Sequence, residues 1–142
     1  FNYGLVLGWI SVKNQIDIIP IILYVGAIFW TLGYDTVYGF QDIKDDEIIG
    51  VKSTSIKFKN NPKKFLLICY SILTISILTT GLLMNFNLLF FVSLTILTLH
   101  LFLYQIKKFN SNNKDCCLRV FRSNNLFGAL VLLSIFIGKI NL

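Results

Sequence analysis

Charge is what this chain has least of: 14% of its residues are charged, against about a quarter in soluble domains. That shortage, with 55% hydrophobic residues and a mean hydropathy of +0.70, excludes an ordinary soluble domain. Residues 65–106 contain no Asp, Glu, Lys or Arg at all. About 20 residues span the hydrocarbon core of a bilayer, so this block is too long for one crossing. It divides at Gly81 and Met84-Asn85-Phe86-Asn87, a polar break that reads as a tight turn. Histidine is limited to His100, and cysteine to Cys69, Cys116 and Cys117. Neither Cys-x-x-Cys nor a Cys/His ligand spacing occurs, which argues against a zinc or disulfide framework. The cysteines read as free thiols. There is no internal repeat, low-complexity tract or Gly/Ser linker, so residues 1–142 read as one domain. No nucleic-acid partner is expected.

What is present is a set of apolar segments at residues 1–10, 18–33, 65–83, 88–106 and 124–138. Lipid offers no partner for unpaired backbone groups, so the spans are expected to be helices. Pro20 falls in the first turn of its span, where a missing N–H does little harm. The expectation is an all-α, polytopic transmembrane helical bundle embedded in a lipid bilayer. The chain opens at Phe1 directly in apolar sequence, with no charged n-region or small-residue cleavage site in view, so this stretch is not expected to be a signal peptide. Residues 1–10 are expected to be the remnant of a span, and the chain to be the C-terminal part of something longer. Eleven of the thirteen basic residues lie in two stretches, 41–64 and 107–123. Two crossings separate those stretches, so they share a side of the membrane, which the positive-inside rule makes cytoplasmic or its mitochondrial equivalent, the matrix.

The most informative stretch runs from Tyr34 to Thr54, at the end of an apolar span. A carboxylate at mid-bilayer costs about 2.5–3.5 kcal/mol, so intramembrane acids lie near an interface or line a polar cavity. If the segment is one helix, Asp35, Tyr38, Asp42 and Asp45/Asp46 fall on a single face. A row of carboxylates, with only Lys44 as a competing base, is a way to hold a hard cation such as Mg²⁺. A solvated acidic helix end is the alternative. Beyond the acids, Gly50-Val51-Lys52-Ser53-Thr54 groups phosphate donors, Lys52 foremost, although it lacks the Walker spacing. Carboxylates for a metal and a lysine for phosphate oxygens suit a metal–phosphate complex.

The pattern Tyr34-Asp35-Thr36-x-Tyr38-x-x-x-Asp42-x-x-Asp45-Asp46-x-x-x-Gly50-x-Lys52-Ser53-Thr54 resembles the second aspartate-rich motif of UbiA-type intramembrane prenyltransferases. It is similar above all to the 4-hydroxybenzoate polyprenyltransferase branch of ubiquinone biosynthesis. Phe121-Arg122-Ser123-Asn124-Asn125-x-x-Gly128 resembles the family's last loop and final helix. The resemblance implies the C-terminal part of a nine-helix fold, with the N-terminal half and its first aspartate motif missing. It implies Mg²⁺ as cofactor, with Asp42, Asp45 and Asp46 as its ligands in this half. Lys52 would contact the diphosphate, and Asp35 and Tyr38 would orient the site. Its implied partners are polyprenyl diphosphate and 4-hydroxybenzoate, prenylated at its 3-position, in a bacterial or mitochondrial inner membrane; the fragment alone is expected to be inactive. Two other readings compete: a relative acting on another aromatic acceptor, and a non-enzymatic membrane transport subunit.

The remaining polar residues read as structural. His100 is expected to be a hydrogen-bonded packing residue between helices. Trp9, Trp30 and Tyr104 fit anchoring at the membrane interface. Asn124 and Asn125, at the start of the last expected span, either cap that helix or face a cavity.

Overall fold

The computed structural model describes residues 2–140, so the expected beginning of the first span at Phe1 lies outside it. Seven helices follow one another: α1 (Tyr3–Lys13), α2 (Ile18–Gly39), α3 (Ile43–Ile49), α4 (Thr54–Lys57), α5 (Pro62–Leu83), α6 (Leu88–Ile106) and α7 (Lys114–Lys139). No strand occurs among the described residues. Four of the helices, α2, α5, α6 and α7, are long and apolar enough to cross a membrane. This is the expected all-α polytopic membrane bundle. The eleven-residue α1 packs on α2, where Asn2 Nδ2 donates to the Ala27 carbonyl at 3.1 Å and to Thr31 Oγ1 at 2.8 Å.

The four long helices form a closed ring of neighbours: α2 packs on α5 and α7, and α6 packs on the same two. α2 and α5 approach closely because their facing residues are small. A Cβ at Gly26 would lie 2.6 Å from that of Ser76, and one at Gly33 would lie 2.7 Å from the buried Tyr70 ring. Small residues at helix contacts are the usual device in lipid, where hydrophobicity cannot drive helices together. The α5–α6 turn falls where the polar break implied. Asn85 takes φ 51°, and the Asn87 side chain caps α6 by accepting from Phe90 N at 3.2 Å. Asn87 Nδ2 also donates to the Ile137 carbonyl at 2.8 Å, tying the start of α6 to the end of α7.

Four boundaries differ from the sequence expectation by three residues or more, the first being α1, which runs on to Lys13 instead of ending at Ile10. α2 runs on to Gly39 instead of ending at Gly33, and α5 begins at Pro62, placed at its first turn. α7 begins at Lys114, ten residues before Asn124, because Asn113 caps it by accepting from Cys116 N at 2.9 Å. Arg119 and Arg122 are therefore helical, on the exposed side of a helix that buries Cys117, Val120, Asn124 and Phe127. The second half of α6, His100–Ile106, is π-helical. Its wider turn carries Leu101 and Gln105, four residues apart, into the core together.

Candidate functional site

The acidic stretch does not form one helix. α2 ends at Gly39, the chain turns through Phe40–Asp42, and α3 starts afresh at Ile43. The single helical face expected for Asp35, Tyr38, Asp42 and Asp45/Asp46 is thus cut in two. Asp35 and Tyr38 belong to α2; Asp45 and Asp46 belong to the first turn of α3, with Asp42 at its N-cap position. Packing explains the break. Phe40 is buried and meets Phe109 edge-on at 5.5 Å, while a Cβ at Gly39 would strike the Ser55 hydroxyl. Gly50 then closes α3 in the left-handed region at φ 79°, a conformation that favours glycine.

The Gly50–Thr54 tail divides its labour. Ser53 caps α4, accepting from Ile56 N at 3.3 Å. Thr54 Oγ1 lies 2.6 Å from Thr36 Oγ1, and the buried Ser55 donates to the Thr36 carbonyl at 2.9 Å. These hydroxyls pin the end of α2 against α4. Lys52 is exposed, in a groove shared with Val51, Ser53, Thr54, Ile56 and Lys57, and no carboxylate among the described residues pairs with it. Ser55 is a structural residue that sequence reasoning passed over; its signal was a small polar side chain five residues beyond Gly50.

The carboxylates themselves are uncommitted. Asp42 meets only Lys114 Nζ, at 4.0 Å, and none of Asp35, Asp42, Asp45 and Asp46 makes a side-chain hydrogen bond among the described residues. No three Asp, Glu, His or Cys side chains gather closely enough there to hold a metal ion by themselves. Lys114 was read only as part of the basic loop; the structure sets it, with Lys44, Gln41 and Ser111, around a groove beside Asp42.

On the membrane side of the motif, aromatic rings connect α2 to α7. Trp30, Tyr34 and Tyr38 recur every fourth residue. Tyr34 and Tyr38 lie 5.9 Å and 4.8 Å from Phe121, and Trp30 lies 5.4 Å from Phe127. Trp30 is no interface anchor: its Nε1 donates to Asn124 Oδ1 at 2.9 Å. Asn124 caps nothing, since it sits mid-helix and is buried; it also accepts from Gln105 Nε2 at 3.1 Å. His100 packs against another helix, 6.3 Å from Phe127 of α7, and stacks on Tyr104 of its own helix at 5.1 Å; the expected hydrogen bond is not seen at its Nε2, which is buried without a partner. Next to Trp30 a cavity of about 170 Å³ is lined almost wholly by apolar groups, including Leu23, Leu73, Ile77 and Phe127.

An acid motif at one end of an apolar bundle, with lysines beside it, is the arrangement that the resemblance implied. A model of the UbiA prenyltransferase family matches residues 1–137. The chain belongs to the UbiA prenyltransferase family. It is 35% identical, over 99% of its length, to a mitochondrial 4-hydroxybenzoate polyprenyltransferase of Bos taurus. It is 33% identical over the same share to those of Homo sapiens and Dictyostelium discoideum. The chain spans 38% of the bovine and human proteins and 30% of the Dictyostelium one. No solved structure gives a significant match. In this UbiA-family chain the matched region takes in α1 to α6 whole and all but the last two residues of α7.

Proposed function

We propose that this chain is the C-terminal part of a 4-hydroxybenzoate polyprenyltransferase and contributes the second acidic motif of its active site. The observation that carries the reading is the uncommitted set Asp42, Asp45 and Asp46 at the end of the bundle that also presents Lys52 and Lys114. Three carboxylates without internal hydrogen bonds are hard oxygen donors of the kind Mg²⁺ takes, so the residues fit that ion. They do not gather into a cage by themselves among the described residues, and the remaining donors would come from diphosphate, water and a first acidic motif carried by an N-terminal half. Bound there, Mg²⁺ neutralises negative charge on the diphosphate leaving group.

This chain's own residues then have definite tasks. Lys52 and Lys114 pair with phosphate oxygens and hold the diphosphate at the membrane surface. Asp35 and Tyr38, one to two turns inward, orient the aromatic acceptor. The allylic C–O bond breaks as pyrophosphate departs, the ring carbon ortho to the phenol hydroxyl forms the new C–C bond, and its proton is released. Trp30, Tyr34, Tyr38 and Phe121 keep bulk water from the cationic carbon, which water would otherwise capture. The apolar cavity beside Trp30 takes part of the prenyl tail.

The test is product identity. Membranes carrying the full-length protein should convert polyprenyl diphosphate and 4-hydroxybenzoate to 3-polyprenyl-4-hydroxybenzoate, measured by mass spectrometry. A panel of aromatic acceptors tests the choice of ring: product from homogentisate or a naphthoate alone would reassign the acceptor and keep the family. Ion flux without any prenylated product would replace the reading with a transport role.

A further inference from the structure

The end of the bundle that carries the acidic motif has a second groove, of about 350 Å³, which the reaction does not use. Its walls are the start of α5, Pro62 and Lys63, and the α6–α7 connection from Lys107 to Ser111. Three lysines, Lys63, Lys107 and Lys108, line it. Lys63 Nζ donates to the Lys107 carbonyl at 3.4 Å, and Lys108 Nζ sits 4.7 Å over the Tyr104 ring. None of the three pairs with a carboxylate; the ion pairs among the described residues are Lys59–Glu47 and Lys114–Asp42. Asn61 makes no side-chain cap on α5, so the positive end of that helix dipole adds to the field.

Position decides what such a groove can bind. α5 and α6 are antiparallel membrane-crossing helices, so Lys63 and Lys107 lie where two crossings meet the headgroup layer. Four residues inward on each helix, Leu67 is 49% exposed and Leu103 is 58% exposed. A cationic hollow with uncovered apolar surface directly inward matches a headgroup phosphate with acyl chains below it; a free phosphate would use only the upper part. We propose that this groove binds the phosphate of an anionic phospholipid in the leaflet on the motif side. Lys63, Lys107 and Lys108 hold the headgroup, and the acyl chains run past Leu67 and Leu103.

The test is native mass spectrometry of the purified 142-residue chain with phosphatidylglycerol or phosphatidylcholine. The chain should retain phosphatidylglycerol in preference to phosphatidylcholine. Lys63→Gln, Lys107→Gln and Lys108→Gln should each weaken retention roughly fivefold, the contribution of one lysine near an anionic surface. The triple Lys→Arg variant should retain the lipid, and Lys139→Gln, at the opposite end, should change nothing. Circular dichroism checks each variant's helix content, and the single variants carry the result where the triple Gln variant loses helix. Unchanged phosphatidylglycerol retention in well-folded Gln variants would overturn the proposal. So would equal retention of phosphatidylcholine, or complete displacement of the lipid by inorganic phosphate, which would make this a soluble-phosphate site.

Discussion

Asn124 shows how a single polar side chain is used inside an apolar bundle. Its Oδ1 accepts from both Trp30 and Gln105, and its Nδ2 donates to the Val120 carbonyl at 3.2 Å, so α2, α6 and α7 meet at one amide. Hydrogen bonds between membrane helices average about 0.6 kcal/mol and reach about 1.7 kcal/mol. Asn124→Leu should therefore destabilise the bundle by about 1 kcal/mol, read from its unfolding midpoint in mixed detergent. A double-mutant cycle with Trp30→Phe should return a coupling of about 0.6 kcal/mol. Tyr70 gives the opposite expectation. Its hydroxyl is buried without a partner, so Tyr70→Phe removes an unsatisfied group and should leave the unfolding midpoint unchanged or higher. The sequence offered Asn124 either as a cap of the last helix or as a residue facing a cavity. It gave no hint of Gln105 or Trp30, because which side chains meet across three helices is not encoded in local pattern.

Among the elements, α2 and α5 depend on close approach. Gly33→Leu would drive its side chain into the Tyr70 ring and should cost about 1–3 kcal/mol, measurable as a lower unfolding midpoint. Gly4→Ala, where a Cβ meets nothing within 4 Å, should have no such effect. The existence and order of the long helices were legible because charge-free runs of about 20 residues have few other destinations. The helix ends were not. Arg119 and Arg122 made residues 114–123 look like a loop, yet they project from the exposed side of α7 while Cys117 and Val120 fill the core. The break in the acidic stretch was equally hidden. Asp35-x-x-Tyr38-x-x-x-Asp42 has helical spacing, but the burial of Phe40 and the contact of Gly39 with Ser55 end α2 before Asp42 is reached. Tertiary packing overrode local periodicity there.

At the scale of the whole molecule, the bundle has two unlike ends. One gathers the acidic motif, Lys52, Lys63, Lys107 and Lys114; the other carries the Asn85 turn and Lys139. Cysteines introduced at Ser111 and at Asn85, in a Cys-free background, should be labelled from opposite sides by a membrane-impermeant maleimide. Labelling of both from one side would contradict the topology. Family membership was legible from residues 34–54 because their acids, glycine and lysine match the family's second aspartate-rich motif, and the family model matches residues 1–137. The metal geometry was not legible, since no three candidate ligands converge among the described residues and the proposed cage would draw groups from elsewhere.

The account stands on Asp42 and Asp46 gripping a divalent cation that holds the diphosphate. The most direct measurement is turnover by the full-length protein across a Mg²⁺ titration, for wild type, Asp42→Asn and Asp46→Asn at matched membrane abundance. The account predicts no turnover in chelator, recovery with added Mg²⁺ in wild type, and rates at least about a hundredfold lower in each variant. Wild-type turnover in both variants would contradict it.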